Sequence, residues 1–178
     1  MTVIIWITEG TWQAAVDAAR VHAPADADLV LLHVASDDVR EAVRGSFAGL
    51  LGRDRLGRDP GAQVEAISRV AAAALLDDAA ARLGRPAARL PRQGRVEREV
   101  VRAADGADLL ICARDGDRAR LGPRSLGPAT RFVIDHAPCP VLLVWPGQAP
   151  GADSLPPPPQ GPPPHHPPHP RHPPQPPA

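Results

Sequence analysis

Several residue types are scarce or absent in this chain of 178 residues. It contains no tyrosine, two cysteines, three tryptophans and two phenylalanines, and all 20 of its Lys-plus-Arg residues are arginine. Arginine without lysine, together with abundant alanine, fits G+C-rich coding, so no single arginine is evidence of a site. The 20 acidic residues balance the arginines, and zero net charge argues against a general nucleic-acid or membrane-surface binder.

The small number of cysteines argues against a disulfide framework. Cys112 and Cys139 form no Cys-x-x-Cys motif, and they fit a reducing compartment or inert core thiols. His136 lies near Cys139, but two potential ligands are too few for a structural zinc site. We therefore expect no metal site, and structural roles for His33 and His136.

No apolar run in the sequence is long enough to span a membrane. The N-terminal run from Val3 to Ile7 has no basic residues before it and is far too short for a signal peptide or a membrane span. We expect a cytoplasmic protein with neither a membrane nor a nucleic acid as its partner.

Short apolar runs alternate with helical patterns along residues 1–147. The apolar runs predict buried strands at 3–7, 29–34, 108–113 and 141–145, and a weak edge strand at 87–92 that contains Pro91. Helices are predicted at 11–22, from 36 onwards, at 62–83, 96–104 and 129–135, with a broken, Gly-rich loop at 45–61. This alternation predicts one α/β domain, a five-stranded parallel sheet with helices on both faces.

The long helix predicted at 62–83 is rich in alanine. Its apolar residues recur at helical spacing and predict the face that packs on the sheet. These residues are Val64, Ile67, Ala71, Ala74 and Leu75.

Residues 148–178 differ in composition from the rest of the chain. From Leu155 onwards they are almost entirely Pro, His, Gln and Gly, which predicts a disordered tail with polyproline II character. Three roles stay open: an appendage without a ligand, docking in an aromatic groove of a partner, or weak binding of Ni²⁺, Cu²⁺ or Zn²⁺. The metal-binding alternative would use His165, His166, His169 and His172.

The segment from Ala107 to Pro146 carries the strongest indication of a ligand site. It reads as a buried strand, a loop rich in Arg and Gly, a short helix and a second buried strand. In parallel α/β sheets, ligands bind at the carboxyl ends of the strands, and helix N-termini there favour anions. The loop arginines are therefore either a phosphate clamp or solvated side chains paired with Asp115 and Asp117.

No catalytic set of residues accompanies this loop. Ser125 is not part of a Gly-x-Ser-x-Gly elbow, and Glu97 and Glu99 are accounted for by the favourable position of acids at a helix start. We expect no catalytic residues and no enzyme; slow ATP hydrolysis would be the only candidate activity.

Four segments together resemble the universal stress protein family: VIIWIT, LVLLHV, GRVEREVVRAADGADLLICA and HAPCPVLLVWP. The resemblance covers residues 2–146 and implies a flavodoxin-like, adenine nucleotide alpha hydrolase-like sheet. It also implies a regulatory role in stress response, and a homodimer formed through the last strand, Val141 to Trp145.

Some members of that family bind ATP through a glycine pattern, which this sequence matches in part. The pattern is glycine, two residues, glycine, nine residues, glycine, then serine or threonine. Ala113 stands at the first glycine, Gly116 matches the second, and Gly127 comes one residue late. Pro128, which has no N–H, replaces the Ser or Thr, and Thr130 follows two residues later.

Carried over residue by residue, the resemblance implies ligand contacts at Thr8, Val34, Gly116, Gly127 and Thr130. Thr8 stands where the family's first strand ends in an acid, and Val34 matches a position whose backbone faces adenine. The implied ligand is ATP, another adenine nucleotide or another phosphate compound. The alternative is a dimeric interaction scaffold that binds no nucleotide and carries a Pro/His-rich tail.

Overall fold

The computed structural model describes residues 1–36 and 60–155, with the side chains of 60–64 left out. Within those residues the strands are β1 Thr2–Trp6, β2 Asp28–Ser36, β3 Ala88–Gly94, β4 Leu109–Ala113 and β5 Val141–Val144. The helices are α1 Trp12–His22, α2 Pro60–Leu83, α3 Val96–Ala103 and α4 Pro128–His136, with short 3₁₀ helices at Pro123–Ser125 and Ala152–Ser154.

The five strands form one sheet in the order β3-β2-β1-β4-β5, and every neighbouring pair is parallel. The predicted five-stranded parallel sheet is therefore confirmed, with the weak strand β3 at one edge and β5 at the other. A flavodoxin sheet has the order 2-1-3-4-5, whereas this order matches the first five strands of a dinucleotide-binding sheet. The topological switch point consequently lies between β1 and β4.

The central strand β1 builds a core on each side of the sheet. Val3, Ile5 and Ile7 belong to the cluster that packs with α1 and α2, whereas Ile4 and Trp6 pack with α3 and α4. This alternation follows from the two-residue period of a strand, and it confirms that helices cover both faces.

Helix α2 buries a different face from the predicted one. Ile67 and Val70 are 64% and 71% exposed, and Ala71 and Ala74 are exposed as well. The buried residues are Ala72, Leu76, Ala79 and Leu83, with Leu75 partly buried. The prediction was wrong for Ile67, Ala71 and Ala74 because alanine occurs all round this helix and gives little contrast between faces; the side chain of Val64 lies outside the described residues.

Some of the predictions fall outside the described residues. These are the helix predicted from Ser36 onwards, most of the Gly-rich loop and the histidine tail, because residues 37–59 and 156–178 are not described.

Past the predicted domain boundary at 147, the described chain continues to Leu155, and the Leu121 N–H donates a hydrogen bond to Ser154 Oγ at 3.1 Å. In the described part of the chain, no helix is long and apolar enough to cross a membrane.

Candidate functional site

A crevice opens at the carboxyl ends of β1 and β2. It encloses about 420 Å³ and is lined by Thr8 and Glu9 after β1, Val34 in β2, Ala71 in α2 and Val96 at the start of α3. Its volume lies within the usual range of small-molecule sites, and most of its wall is apolar. The crevice lies beside the topological switch point, where open α/β sheets bind ligands.

The turn after β1 is shaped by the backbone of Thr8. Its carbonyl oxygen accepts hydrogen bonds from the N–H groups of Thr11 and Trp12, at 3.1 and 3.0 Å. Gly10 supplies the left-handed conformation, φ +76°, that this tight turn requires. Thr11 precedes α1 but makes no side-chain cap, since its hydroxyl points back to the Thr8 carbonyl.

Both histidines singled out in the sequence bond to the backbone. His33 Nδ1 donates to the carbonyl oxygen of Ile7 at 2.9 Å, and this bond ties the end of β2 to the end of β1 beside the crevice. His136 Nδ1 donates to the Phe132 carbonyl at 2.8 Å, and the two rings stack with centroids 4.0 Å apart. Both rings therefore have the backbone partners that were predicted for them.

The loop between β4 and α4 closes on itself. Gly116 N–H donates to the Ser125 carbonyl at 3.0 Å, and Asp117 N–H donates to the Arg124 carbonyl at 2.8 Å. A Cβ at Gly116 would collide with the Arg124 carbonyl oxygen and lie 2.8 Å from the Ser125 carbonyl carbon. Gly116 is therefore a glycine because the loop folds back here, and its amide already has a partner within the loop.

A carboxylate of the chain itself occupies the start of α4. Gly127 is the N-cap residue, and its N–H donates to Asp115 Oδ1 at 2.7 Å. A Cβ on Gly127 would lie 2.8 Å from Asp115 Oδ2, so the carboxylate packs directly against the glycine. Pro128 follows without an N–H, and Thr130 is 1% exposed, so its side chain contributes to packing.

Arg114 braces the loop from inside. Its Nη1 donates to Ser125 Oγ, and its guanidinium lies over the Trp145 ring, 4.7 Å from the centroid. Arg118 Nη2 lies 3.4 Å from the Gly10 carbonyl oxygen, which brings the β4–α4 loop against the β1–α1 turn at the switch point. Arg114 therefore braces the loop, whereas Arg118 makes a long contact from an exposed side chain.

The five predicted contact residues divide into two groups. Thr8 and Val34 line the crevice together, whereas Gly116, Gly127 and Thr130 belong to the β4–α4 segment and are not part of its lining. Sequence reasoning missed the position of the Asp115 carboxylate. The only available signal was that Asp115 is an acid just before the second glycine of the family pattern. Its hydrogen-bond partner, Gly127, lies twelve residues further along the chain.

The two thiols are poor metal ligands and poor nucleophiles. Burial raises the pKa of Cys112 from its ordinary 9.0 to about 12, and the negative charge of Asp115 adds to the shift. Burial also raises the pKa of Cys139, which is only partly buried. Over residues 1–36 and 65–155, no three His, Cys, Asp or Glu side chains come together as metal ligands.

Comparison with known proteins identifies the family. The model of the family described as "Universal stress protein family" matches residues 8–144 of the chain. A search of curated proteins found no match. A solved universal stress protein in complex with cAMP is 19% identical, with a TM-score of 0.56 over 83% of this chain and 98% of that one. Universal stress protein UspA from Lactobacillus plantarum is 18% identical, with a TM-score of 0.52 over 80% and 96%.

A universal stress protein family protein from Arabidopsis thaliana with AMP bound is 16% identical, with a TM-score of 0.51 over 88% and 95% of the two chains. At these identities the structural likeness establishes a shared fold. The family match itself extends from residue 8, just after β1, to the end of β5, and so includes most of the crevice lining and the whole loop. The chain belongs to the universal stress protein family.

Proposed function

We propose that this protein is a regulatory module that binds an adenosine-containing ligand in the crevice beside Thr8 and Val34. The observation that supports this most strongly is the position of the crevice, at the carboxyl ends of β1 and β2 next to the switch point. Two solved proteins of similar fold carry AMP or cAMP. The proposed location is the cytoplasm.

The chemistry of the crevice suits a nucleoside. Its lining includes apolar residues that give walls on which a purine ring would bury its faces: Trp6, Val34, Ala72 and Val96. The Glu9 carboxylate at the rim is an acceptor suited to ribose hydroxyls. In this proposal the base lies against β2 and the sugar lies toward the β1–α1 turn.

The proposed activity is binding rather than catalysis. Ser125, the serine of the loop, is buried, and its hydroxyl donates to the Gly122 carbonyl at 2.6 Å and accepts from Arg114. A nucleophile would need an adjacent base and access to the substrate, and Ser125 has neither. The ligand would therefore act by stabilising one state of the protein.

A second candidate function is a dimeric scaffold that binds no nucleotide. The closed β4–α4 loop favours it, since the Gly116 and Gly127 amides bond within the chain. In either case we propose a homodimer through Val141 to Trp145. Strand β5 is a sheet edge with half-buried side chains, and pairing of two copies would satisfy its unpaired backbone groups.

Thermal melts with adenosine, AMP and ATP at millimolar concentration distinguish the two functions. A ligand at 100 times its Kd stabilises the folded state by about 2.7 kcal/mol, which raises Tm by several degrees. Ala71→Phe places a ring from an exposed helix position into the crevice and should abolish the shift.

Ala74→Phe is the matched control, because Ala74 is exposed on the same helix and is not part of the crevice lining. It should retain the full ligand-induced shift. If none of the three ligands raises the Tm of the unmodified protein, nucleotide binding is excluded and the scaffold is favoured.

A further inference from the structure

We propose that Asp115 determines which adenine ligands the crevice accepts, so that adenosine and AMP bind in preference to ATP. This inference depends on the proposed function, and it assigns the charge class of the ligand at the same site. Its basis is the carboxylate that Asp115 places on the Gly127 amide at the start of α4, at 2.7 Å.

The start of α4 is the position that an extended phosphate chain would reach. Helix α4 follows β4 through the 114–127 loop, and β4 and β1 flank the switch point. Arg118 Nη2 lies 3.4 Å from the Gly10 carbonyl, so this loop and the turn beside the crevice are in contact. A ligand with its base against β2 would extend its phosphates across this junction, toward amides that normally attract anions.

In this chain the first two of those amide positions, at Gly127 and Pro128, are taken or missing. Gly127 N–H is bonded to Asp115, and Pro128 has no N–H. The carboxylate lies so close to Gly127 that a Cβ there would be 2.8 Å from Oδ2. An arriving phosphate would have to displace Asp115 or lie in contact with a like charge.

Two of the nearby basic groups are already engaged within the chain. The Arg114 guanidinium is engaged by Ser125 Oγ and the Trp145 ring, and Arg131 Nη2 donates to the Pro123 carbonyl. The other loop arginines, Arg118, Arg120 and Arg124, are exposed, so solvent screens their charges. Each added phosphate therefore brings more negative charge toward Asp115, whose carboxylate is held on the Gly127 amide. The penalty should increase from adenosine through AMP to ATP.

Isothermal titration calorimetry with the three ligands tests this on the full chain and two variants. Asp115→Asn keeps an oxygen acceptor for the Gly127 amide but removes the charge, and should tighten ATP binding about tenfold while changing adenosine binding less than about twofold. Asp117→Asn is the matched control, since this exposed acid in the same loop accepts from Ala119 N–H at 2.9 Å, away from α4. It should change ATP binding less than about twofold.

Two results would overturn the inference and leave the proposed function intact: ATP binding the unmodified protein as tightly as adenosine does, or equal effects of the two variants on ATP. Absence of binding of all three ligands to all three proteins overturns the proposed function, and the selectivity with it. If Asp115→Asn fails to fold by circular dichroism, Asp115→Ser, which keeps a short acceptor, replaces it with the same expected gain for ATP.

Discussion

The guanidinium of Arg114 lies over the indole ring of Trp145, 4.7 Å from its centroid, and so joins the residue after β4 to the residue after β5. The Arg114 N–H also donates to the Val144 carbonyl at 2.9 Å, where the ladder between the two strands ends. Strand β5 ends at Val144, one residue earlier than predicted, and Trp145 has its partner within the same chain. The first loop arginine thus anchors the loop.

Replacing Arg114 should loosen this loop. Arg114→Ala removes the contact with the Trp145 ring and the hydrogen bond to Ser125, and should lower the free energy of unfolding by about 1–2 kcal/mol in urea denaturation. Arg118→Ala, at an exposed position in the same loop, should cost less than about 0.5 kcal/mol. Equal losses for the two variants would show that Arg114 does not anchor the loop.

Replacing Gly116 should lower stability through a steric clash, whereas replacing Gly106 should lower it through backbone strain. Gly116→Ala drives a methyl group into the backbone of Arg124 and Ser125 and should cost about 3 kcal/mol. Gly106 has φ +76° and open space around it, so Gly106→Ala should cost about 1 kcal/mol. Comparing the thermal unfolding of the two variants tests whether the loop is closed. A smaller loss of stability for Gly116→Ala than for Gly106→Ala would mean that the loop is open in solution.

Stability should fall at alkaline pH because of Cys112. A pKa raised by burial favours the neutral thiol in the folded state, so this contribution is complete below pH 9.0 and is lost as pH rises toward about 12. The sequence has neither Lys nor Tyr, so few other side chains titrate in this window.

The expected loss is about 3 kcal/mol at pH 11, measured by urea denaturation from pH 8 to 11. Cys112→Ala should flatten this dependence. Cys139→Ala is the control and should preserve most of it, because Cys139 is less buried. An unchanged slope in Cys112→Ala would refute the assignment.

The proposed dimer interface can be tested at the two edges of the sheet. Leu143 in β5 and Leu90 in β3 are both partly buried and pack against the same core cluster. Leu143→Asp should convert the dimer to monomers in sedimentation experiments, whereas Leu90→Asp should cost similar stability and leave the dimer intact. A dimer that survives Leu143→Asp, or dissociates equally with both, would exclude β5 as the interface.

Four of the five strands were predictable because each contains a run of consecutive apolar residues, a pattern with few solutions other than a strand covered on both faces. The run at Val3–Ile7 matches β1 to within one residue, and even the edge position of β3 followed from Pro91. The face of α2 was not predictable, since Ile67 and Val70 are exposed while small Ala72 and Ala79 are buried. Which alanine faces a sheet depends on the fit of the helix to its neighbours.

The candidate site was likewise predictable from the sequence only in part. Thr8 and Val34, which the family resemblance implied, line the crevice together because the parallel sheet brings the strand ends to one edge. The state of the phosphate loop depended on pairings between distant residues, Asp115 with Gly127 and Arg114 with Trp145. Sequence patterns of short range do not contain such pairings.

The most direct measurement is an NMR titration of the ¹⁵N-labelled protein with AMP, following backbone amide signals. Binding in the crevice predicts shifts concentrated at Thr8, His33 and Val34, all of which Ala71→Phe should remove. Two results would contradict binding in the crevice: no shifts at millimolar AMP, or shifts concentrated at a separate cavity of about 490 Å³ on α4, which is lined by Leu126, Pro128, Arg131, Phe132, Asp135 and His136.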